Sequence, residues 1–575
     1  MRRRSRFSLF RSGHAAPTQD IAPDEIFLDD RNIPNFDLQQ FEGQIERPIP
    51  RRTLFLLFVA FLAIAGVFVG RAGYLQVYNG DAYAALSERN RLEYEYLFPE
   101  RGVITDRNGI ELAWNIPPGD DQGFSLRQYI ARGGFGHILG YLRYPARDAS
   151  GVFYRTDYEA VTGVEFAYNE TLKGKRGLRI IETDALGTVV SQSVIDPPKG
   201  GADLALSIDA RVQSILYDRI REVALAHGFT GGAAGIIDVA TGELIALTSF
   251  PEYDPNVMTS AKDVERIGAY QSDSRMPFLH RAVSGLYTPG SIVKPIYALG
   301  AYNDGLITPE KKILSTGSIS IPNPYNPKEE SVFNDWKAHG WLDMKQAIGW
   351  SSNVYFYEIG GGYKDQKGLG ISGIEKYARM FGFGTTTGIE LPGERIGTIP
   401  NPSWKAKVFP EDPTWRVGDT YFTAIGQYGM QITLIQALKE ASIIASKGLI
   451  PTPTLRLGSA TSTRRVAIPP EKFAPVHDGM RIAVVEGTSK ILNIPEVNIA
   501  AKSGTAELGV KKDRWNSWVI GFFPYEEPRY AFAFVMERGP VGNTFNASYV
   551  ASLVFRDIAE RAPEYLARKK NSGKD

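Results

Sequence analysis

The chain has 575 residues and no cysteine. Disulfides, thiolate metal sites and cysteine nucleophiles are therefore excluded, while the redox compartment stays open. Histidine is scarce too: six residues, scattered, with no pair at metal-ligand spacing. Neither a histidine-based metal centre nor a Ser-His-Asp triad is the expectation from such a set. An excess of one charge is also missing, since 65 basic and 64 acidic side chains leave a formal charge of +1. That balance argues against nucleic acid or another strongly charged polymer as the main partner. What is present is 43% hydrophobic content over a length that accommodates two or three domains.

Thr53 to Gly70 form eighteen residues without a charge, bounded by Arg51-Arg52 and Arg71. This is about the minimum for a spanning helix, and a core helix seldom needs to be apolar on every face. The roughly fifty residues before the run are too long for the n-region of a cleaved signal peptide. Local charge is nearly balanced, with Arg47, Arg51 and Arg52 on one side and Arg71 and Arg89 on the other. Arg2, Arg3, Arg4, Arg6 and Arg11 add to the N-terminal side, so a cytoplasmic N-terminus and an extracytoplasmic bulk are expected. Residues 1–50 read as a disordered cytoplasmic tail and 51–74 as a transmembrane anchor.

Residues 75–200 begin with a helical pattern through GDAYAALSERNRLEYEYL and break at Pro99 into a mixed, glycine-rich segment, expected as an elongated membrane-proximal pedestal. Within it, residues 101–109 read as a strand followed by the Asn108-Gly109 turn, a structural hairpin. The Pro197-Pro198-Lys199-Gly200-Gly201 cluster marks a boundary, and 201–575 form the last domain. There, 233–250 read as two apolar strands joined at Asp238–Gly242, on one face of an antiparallel sheet. Residues 516–525 and 530–538 read as two more strands, with Lys502–Thr505 on a neighbouring one. A mostly helical stretch, roughly 285–450, lies between. Strands at both ends with inserted helices define an α+β domain, with a pocket expected between its subregions.

Three short motifs follow in order: Ser291-Ile292-Val293-Lys294, Ser351-Ser352-Asn353 and Lys502-Ser503-Gly504-Thr505. Serine and lysine three apart on a helix share a face, which brings the amine within reach of the hydroxyl. Pro289-Gly290 before Ser291 suit a turn opening into that helix, with backbone N–H groups facing outward to stabilise an oxyanion. A lysine base must be partly neutral, and burial or a second cation lowers its pKa; Lys502 is the candidate cation. Alone, roughly two Ser-x-x-Lys matches are expected by chance. The ordered set, with each motif on a suitable element, reduces coincidence to a few per cent.

With these motifs the chain resembles the penicillin-binding serine acyltransferases. The anchor, the RGVITDRNGIELAWN and GVEFAYNETLKGKRG segments and the DLALSID entry to the last domain resemble a class B, monofunctional penicillin-binding protein, with no glycosyltransferase domain. Three further segments, NDWKAHGWLDMKQAIGWSSN, TGIELPGERIGTIPNPSWK and GDTYFTAIGQYGMQITLIQ, are most similar to the elongation type; the division type is the closer competitor. The resemblance implies an α+β penicillin-binding, β-lactamase-like fold and a peptidoglycan D,D-transpeptidase needing no cofactor. It implies Ser291 as the acylated nucleophile and Lys294 as its base. Ser351 would relay a proton, Asn353 would orient Lys294 and the substrate, and Lys502 would supply positive potential. Ser503, Gly504 and Thr505 belong to the substrate-binding strand: the Ser503 and Thr505 hydroxyls would hold the donor's terminal carboxylate, and the N–H groups of Ser291 and Thr505 would form the oxyanion hole. Implied partners are stem peptides (a D-Ala-D-Ala donor and an amine acceptor), β-lactams as inhibitors, the cell membrane and a SEDS-type glycosyltransferase. Thr433-Leu434 stands where the family usually has Thr-Pro, and the pedestal is short for an elongation enzyme.

Two other readings stay open. Hydrolysis, by a D,D-carboxypeptidase or a β-lactamase, needs a base for water, and Glu390 and Glu394 are its candidates. A non-catalytic scaffold or β-lactam sensor is the alternative of another class.

Overall fold

The computed structural model describes residues 50–566 apart from 91, 119–122, 152, 185–187, 459, 461–462, 510 and 512. The expected disordered tail lies, Pro50 excepted, outside the described residues. The chain divides into two compact units, Met1–Arg91 and Leu92–Asp575.

In the first unit α1, Arg51–Gly73, follows Pro50 and continues as a π turn over Tyr74–Tyr78. Leucine and alanine in α1 suit a helix, and none of its residues is buried by protein. The 28-residue run Arg51–Tyr78 is the one helix among the described residues long and apolar enough to cross a membrane. At about 1.5 Å per residue it exceeds the ~30 Å of a bilayer core. A short helix, Gly80–Asn90, follows.

The second unit opens with a correction. Leu92–Leu97, read above as the end of a helical pattern, is a strand. It pairs antiparallel with Gly177–Thr183, which in turn pairs with Val189–Asp196. Alternation of Glu93, Tyr94, Glu95 and Tyr96 serves a pleated surface, and cross-strand pairing outweighs the helical propensity of leucine and glutamate. The expected hairpin forms between Ile104–Thr105 and Glu111–Ile116, with Gly109 at φ 85° in the turn. Leu204–Ala205 joins the same sheet in parallel with Ile104–Thr105. The core beside it holds a buried ionic triad: Glu165 accepts from Arg101 Nε at 2.6 Å and from Arg127 Nε at 2.8 Å.

The last part of the chain is built on α2, Ala210–His227, capped by the Asp209 side chain and ended by Gly228 at φ 73°. After it come β1, Gly231–Asp238, and β2, Leu244–Phe250. A 3-10 turn, Gly290–Val293, leads into α3, Lys294–Asn303. The helices α4, Met344–Trp350, and α5, Asn353–Gly361, follow, then α6, Leu434–Ala445. Thr433, at the position of the departure noted above, caps α6 in a capping box with Gln436. The strands β3, Ala500–Leu508, β4, Arg514–Phe523, and β5, Tyr530–Pro540, and the helix α7, Ala547–Arg561, complete it.

The five strands form one antiparallel sheet in the order β2-β1-β5-β4-β3. Its central strands are covered on both faces. On β5, Phe532, Phe534 and Met536 pack towards α2 and α7, while Ala531, Ala533 and Val535 join the core that includes α6. The strands therefore read as continuous apolar runs, and 233–250 belong to both cores instead of one. Each large apolar side chain buried this way contributes about 1.5–3 kcal/mol, which outweighs the surface ion pairs at well under ~1 kcal/mol each. All the helices from α3 to α6 are inserted between β2 and β3, and β3 is left as an edge strand.

Candidate active site

The site forms where the 3-10 turn bearing Ser291 meets the edge strand β3. Gly290 has φ 59°, and a Cβ there would lie 2.6 Å from the Thr505 carbonyl oxygen. A Cβ on Gly504 would lie 2.7 Å from the Pro289 carbonyl oxygen and 2.9 Å from Ile292 Cγ2. Both glycines are demanded by this close approach, which sets Ser291 beside the strand carrying the third motif. The Trp518 indole on β4 braces the same turn by donating to the Thr288 carbonyl at 3.0 Å.

Lys294 is the first residue of α3 and is fully buried. Its Nζ donates to the Ser351 carbonyl at 2.8 Å, to Asn353 Oδ1 at 2.8 Å and to Ser351 Oγ at 3.3 Å. Lys502 Nζ, also fully buried, donates to the same Ser351 Oγ at 2.9 Å and to the Ser503 carbonyl at 2.7 Å. Two amines from remote segments thus share one hydroxyl. The expected direct bond between Lys294 and Ser291 does not form among the described residues, because the amine is already engaged by the second motif. Ser291 lines the neighbouring cleft with its side chain half-buried. A loose nucleophile–base contact without substrate is compatible with acyl transfer, since such bonds tighten in the complex.

Ser351 ends α4 in the left-handed region at φ 58°. A non-glycine residue there is uncommon and costs of order 1–3 kcal/mol, a strain that marks functional positions. Ser352 next to it caps α5 by accepting from the Tyr355 N–H.

Electrostatics set the proton balance. Burial lowers the Lys294 pKa to about 7, against a smaller opposing pull from the Asp335 carboxylate. Burial also lowers Lys502 far below the ordinary lysine range, and the nearby Lys294 charge adds to it. Two buried amines on one hydroxyl cannot both hold a full charge cheaply. Lys294 is therefore poised to take and return a proton near neutral pH.

Asp335 was not among the residues singled out by motif, although it lies in the NDWKAHGWLDMKQAIGWSSN segment. Its carboxylate accepts from Ser352 Oγ at 2.6 Å, the Asn353 N–H at 2.9 Å, the Val354 N–H at 3.1 Å and Ser315 Oγ at 3.1 Å. Burial would raise its pKa, but these donors and Lys294 hold it below the usual carboxylate range. The nearby His339, 3.7 Å away, is pushed down by burial and stays neutral. No local pattern marks it in the sequence, where it stands between Asn334 and Trp336, seventeen positions before Ser352.

The cleft has a volume of about 650 Å³. Ser291, Ser351, Asn353, Ser503, Gly504 and Thr505 all line it, and Lys294 and Lys502 lie behind Ser351. The Ser503 hydroxyl donates to Thr488 Oγ1 at 2.7 Å. Aromatic walls come from Phe333, Trp336, Tyr357, Phe422 and Trp515. Glu390 and Glu394 do not line the cleft. Glu390 accepts from Thr454 Oγ1 at 2.6 Å and Glu394 from the Thr387 N–H at 2.6 Å. His137 and His280 come together, ring centroids 5.0 Å apart, but away from the cleft. Among the described residues no group of three or more histidine or acidic side chains could hold a metal ion.

The family model for the penicillin binding protein transpeptidase domain matches residues 232–560, and that for the penicillin-binding protein dimerisation domain matches 124–206. The chain belongs to the penicillin-binding protein transpeptidase family. Peptidoglycan D,D-transpeptidase MrdA of Acinetobacter baumannii is 26% identical to it over 644 residues, covering 94% of this chain and 91% of the relative. MrdA of Escherichia coli K12 is 26% identical over 600 residues, covering 86% and 92%. The structure of Pseudomonas aeruginosa PBP2 in complex with WCK 5153 superposes with a TM-score of 0.66 at 27% identity, covering 81% of this chain and 96% of that one. PBP2 in its complex with MreC from Helicobacter pylori gives 0.68 at 26% identity, covering 82% and 99%.

Proposed function

We propose that this protein is a membrane-anchored peptidoglycan D,D-transpeptidase of the elongation type. The observation that carries the reading is the sharing of Ser351 Oγ by Lys294 and Lys502 beside the cleft lined by Ser291. In the first half-reaction Ser291 Oγ attacks the carbonyl carbon of the penultimate D-alanine, and its proton passes to neutral Lys294 Nζ. The oxyanion is stabilised by the N–H groups of Ser291 and Thr505. The amide bond to the terminal D-alanine breaks, its nitrogen takes a proton relayed through Ser351 Oγ, and an ester on Ser291 remains. An acceptor amine then attacks that ester and gives up a proton to the same relay, so the cross-link forms and Ser291 is regenerated. Asn353 orients Lys294 and the substrate amide; Lys502 with the Ser503 and Thr505 hydroxyls attracts the donor's terminal carboxylate, next to Gly504.

The division that goes with this reading is a tail (1–50), an anchor (51–74), a pedestal (75–200) and a transpeptidase domain (201–575); the apolar helix from Arg51 supports the anchor and the two family matches support the last two. With the arginine-rich N-terminus inside, the cleft faces the outside of the cell membrane, where stem peptides and β-lactams reach it. Relatives named MrdA, and a PBP2 solved with MreC, support a role in elongation and shape maintenance; the SEDS-type glycosyltransferase as polymerising partner rests on the family resemblance alone. Co-purification under mild detergent checks that partnership. The hydrolytic reading has lost its two candidate bases, because Glu390 and Glu394 are engaged away from the cleft. Mass spectrometry after incubation with a labelled β-lactam is expected to find one covalent adduct, on Ser291; an unmodified Ser291 would reject the transpeptidase reading.

A further inference from the structure

Tyr357 lies one turn after Asn353 on α5, so the two side chains share a helix face. It is buried, lines the cleft and packs its ring edge-on against Phe333, with centroids 5.9 Å apart. The Tyr357 hydroxyl donates to the Asn334 carbonyl at 3.2 Å, and Asn353 Nδ2 donates to that same oxygen at 3.4 Å. Asn334 ends the strand Glu330–Asn334. The N–H on the other side of its peptide link, that of Asp335, donates to the Gly317 carbonyl at 2.8 Å. The peptide plane is thus held at both ends, with the phenol on one acceptor position of the carbonyl and Asn353 on the other. Burial, with the Asp335 carboxylate adding to it, pushes the phenol pKa up, so Tyr357 stays a donor at neutral and mildly alkaline pH.

This arrangement decides which end of the Asn353 amide Lys294 meets. A carbonyl only accepts, so the Asn334 oxygen draws the NH2 end and turns Oδ1 towards Lys294 Nζ, 2.8 Å away. The Ser351 carbonyl, also at 2.8 Å, is a second acceptor. Between them the two oxygens take both N–H groups of the neutral amine. Its lone pair is left for a hydroxyl, on the side where Ser351 Oγ lies at 3.3 Å. A reversed amide would donate Nδ2–H to that lone pair, favouring the neutral amine while blocking it as a base.

We propose that Tyr357 is a positioning residue for acyl transfer: through the Asn334 carbonyl it fixes the Asn353 amide with its oxygen towards Lys294 and so keeps the base's lone pair free. This rests on the transpeptidase reading and deepens it. Tyr357→Phe keeps the ring and removes only the hydroxyl, and it leaves the titratable neighbours of Lys294, which are Asp335, Lys502 and His339, in place. Acylation of Ser291 by a labelled β-lactam is followed from pH 5 to 9 in the full-length protein in detergent. The variant is expected to lose about fivefold in the plateau rate and to move the acid limb down by roughly half a pH unit. The limb reads only the folded, reacting fraction, so a loss of stability does not imitate its shift. In an Asn353→Ala background, adding Tyr357→Phe is expected to change neither quantity further. An unmoved limb, or an equal loss in the Asn353→Ala background, overturns the role of Tyr357. Failure of the wild-type Ser291 to acylate would instead defeat the transpeptidase reading itself.

Discussion

Lys502 Nζ donates to Ser351 Oγ at 2.9 Å across 151 residues of sequence. Ser351 Oγ also accepts from Lys294 at 3.3 Å, so this one hydroxyl joins the amines of the first and third motifs. It stands between both amines and the cleft, the place a proton relay to a leaving nitrogen requires.

The depressed lysine pKa sets the pH dependence. Lys294 works as a base only when neutral, so acylation of Ser291 is expected to fall as pH drops below about 7. The unfolded chain holds protons on Lys294 and Lys502 up to the ordinary lysine range, whereas the folded chain releases them earlier. The Lys294 contribution to stability therefore rises with pH between about 7 and the unfolded lysine pKa, and falls as the pH is lowered through that window; Lys502 acts in the same direction. Acylation rates with a labelled β-lactam across pH 5–9, with denaturant unfolding at each pH, test both limbs.

Asp335 pulls the Lys294 pKa upward and accepts five hydrogen bonds on and around the second motif. Asp335→Asn is expected to move the acid limb of acylation to lower pH while cutting the plateau rate by roughly tenfold or more, as one of the two carboxylate oxygens that accept from the Asn353 and Val354 N–H groups is replaced by a donor. A purely structural role would lower the plateau without moving the limb. Asp335→Glu, which keeps the charge, should leave the limb near its wild-type position.

Gly504 leaves no room for a methyl group between β3 and the Ser291 turn. Gly504→Ala is expected to cost about 1–3 kcal/mol of stability and to slow acylation far more than Ala506→Gly on the same strand. Thermal unfolding and acylation rates measured together distinguish a displaced nucleophile from an unfolded chain.

In the pedestal, Arg101 and Arg127 outweigh the burial that would raise the Glu165 carboxyl and hold its pKa below the usual range. Glu165→Gln leaves two buried guanidinium groups without their counter-charge and is expected to cost about 3–5 kcal/mol. In the wild type this contribution is present above the unfolded carboxyl pKa and is lost as pH falls through the folded one. Chemical denaturation at pH 7 and at low pH checks both statements.

Local pattern carried much of the fold because it is written at short range. The eighteen uncharged residues of the anchor need no partner to be recognised, and the Asn108-Gly109 turn sets its hairpin through backbone preference alone. The strands of the main sheet were legible as apolar runs, but not their burial on both faces, since nothing in 233–250 says that α2, α7 and α6 cover them. Leu92–Leu97 misled for the opposite reason. Its residues tolerate a helix, and only the partner strand Gly177–Thr183, some eighty residues away, makes it extended.

The candidate site divides in the same way. The sequence by itself determined that Ser291 and Lys294 share a face, because helical periodicity fixes it, and that Lys502, Ser503, Gly504 and Thr505 lie on a strand, because they closely precede two apolar strand runs. Tertiary structure alone decided that Lys294 bonds to the second motif instead of Ser291, that two buried amines share Ser351 Oγ, and that Asp335 anchors the whole. Those outcomes depend on desolvation and on distances between segments up to 211 residues apart (502 minus 291), quantities that exist only once the chain has folded.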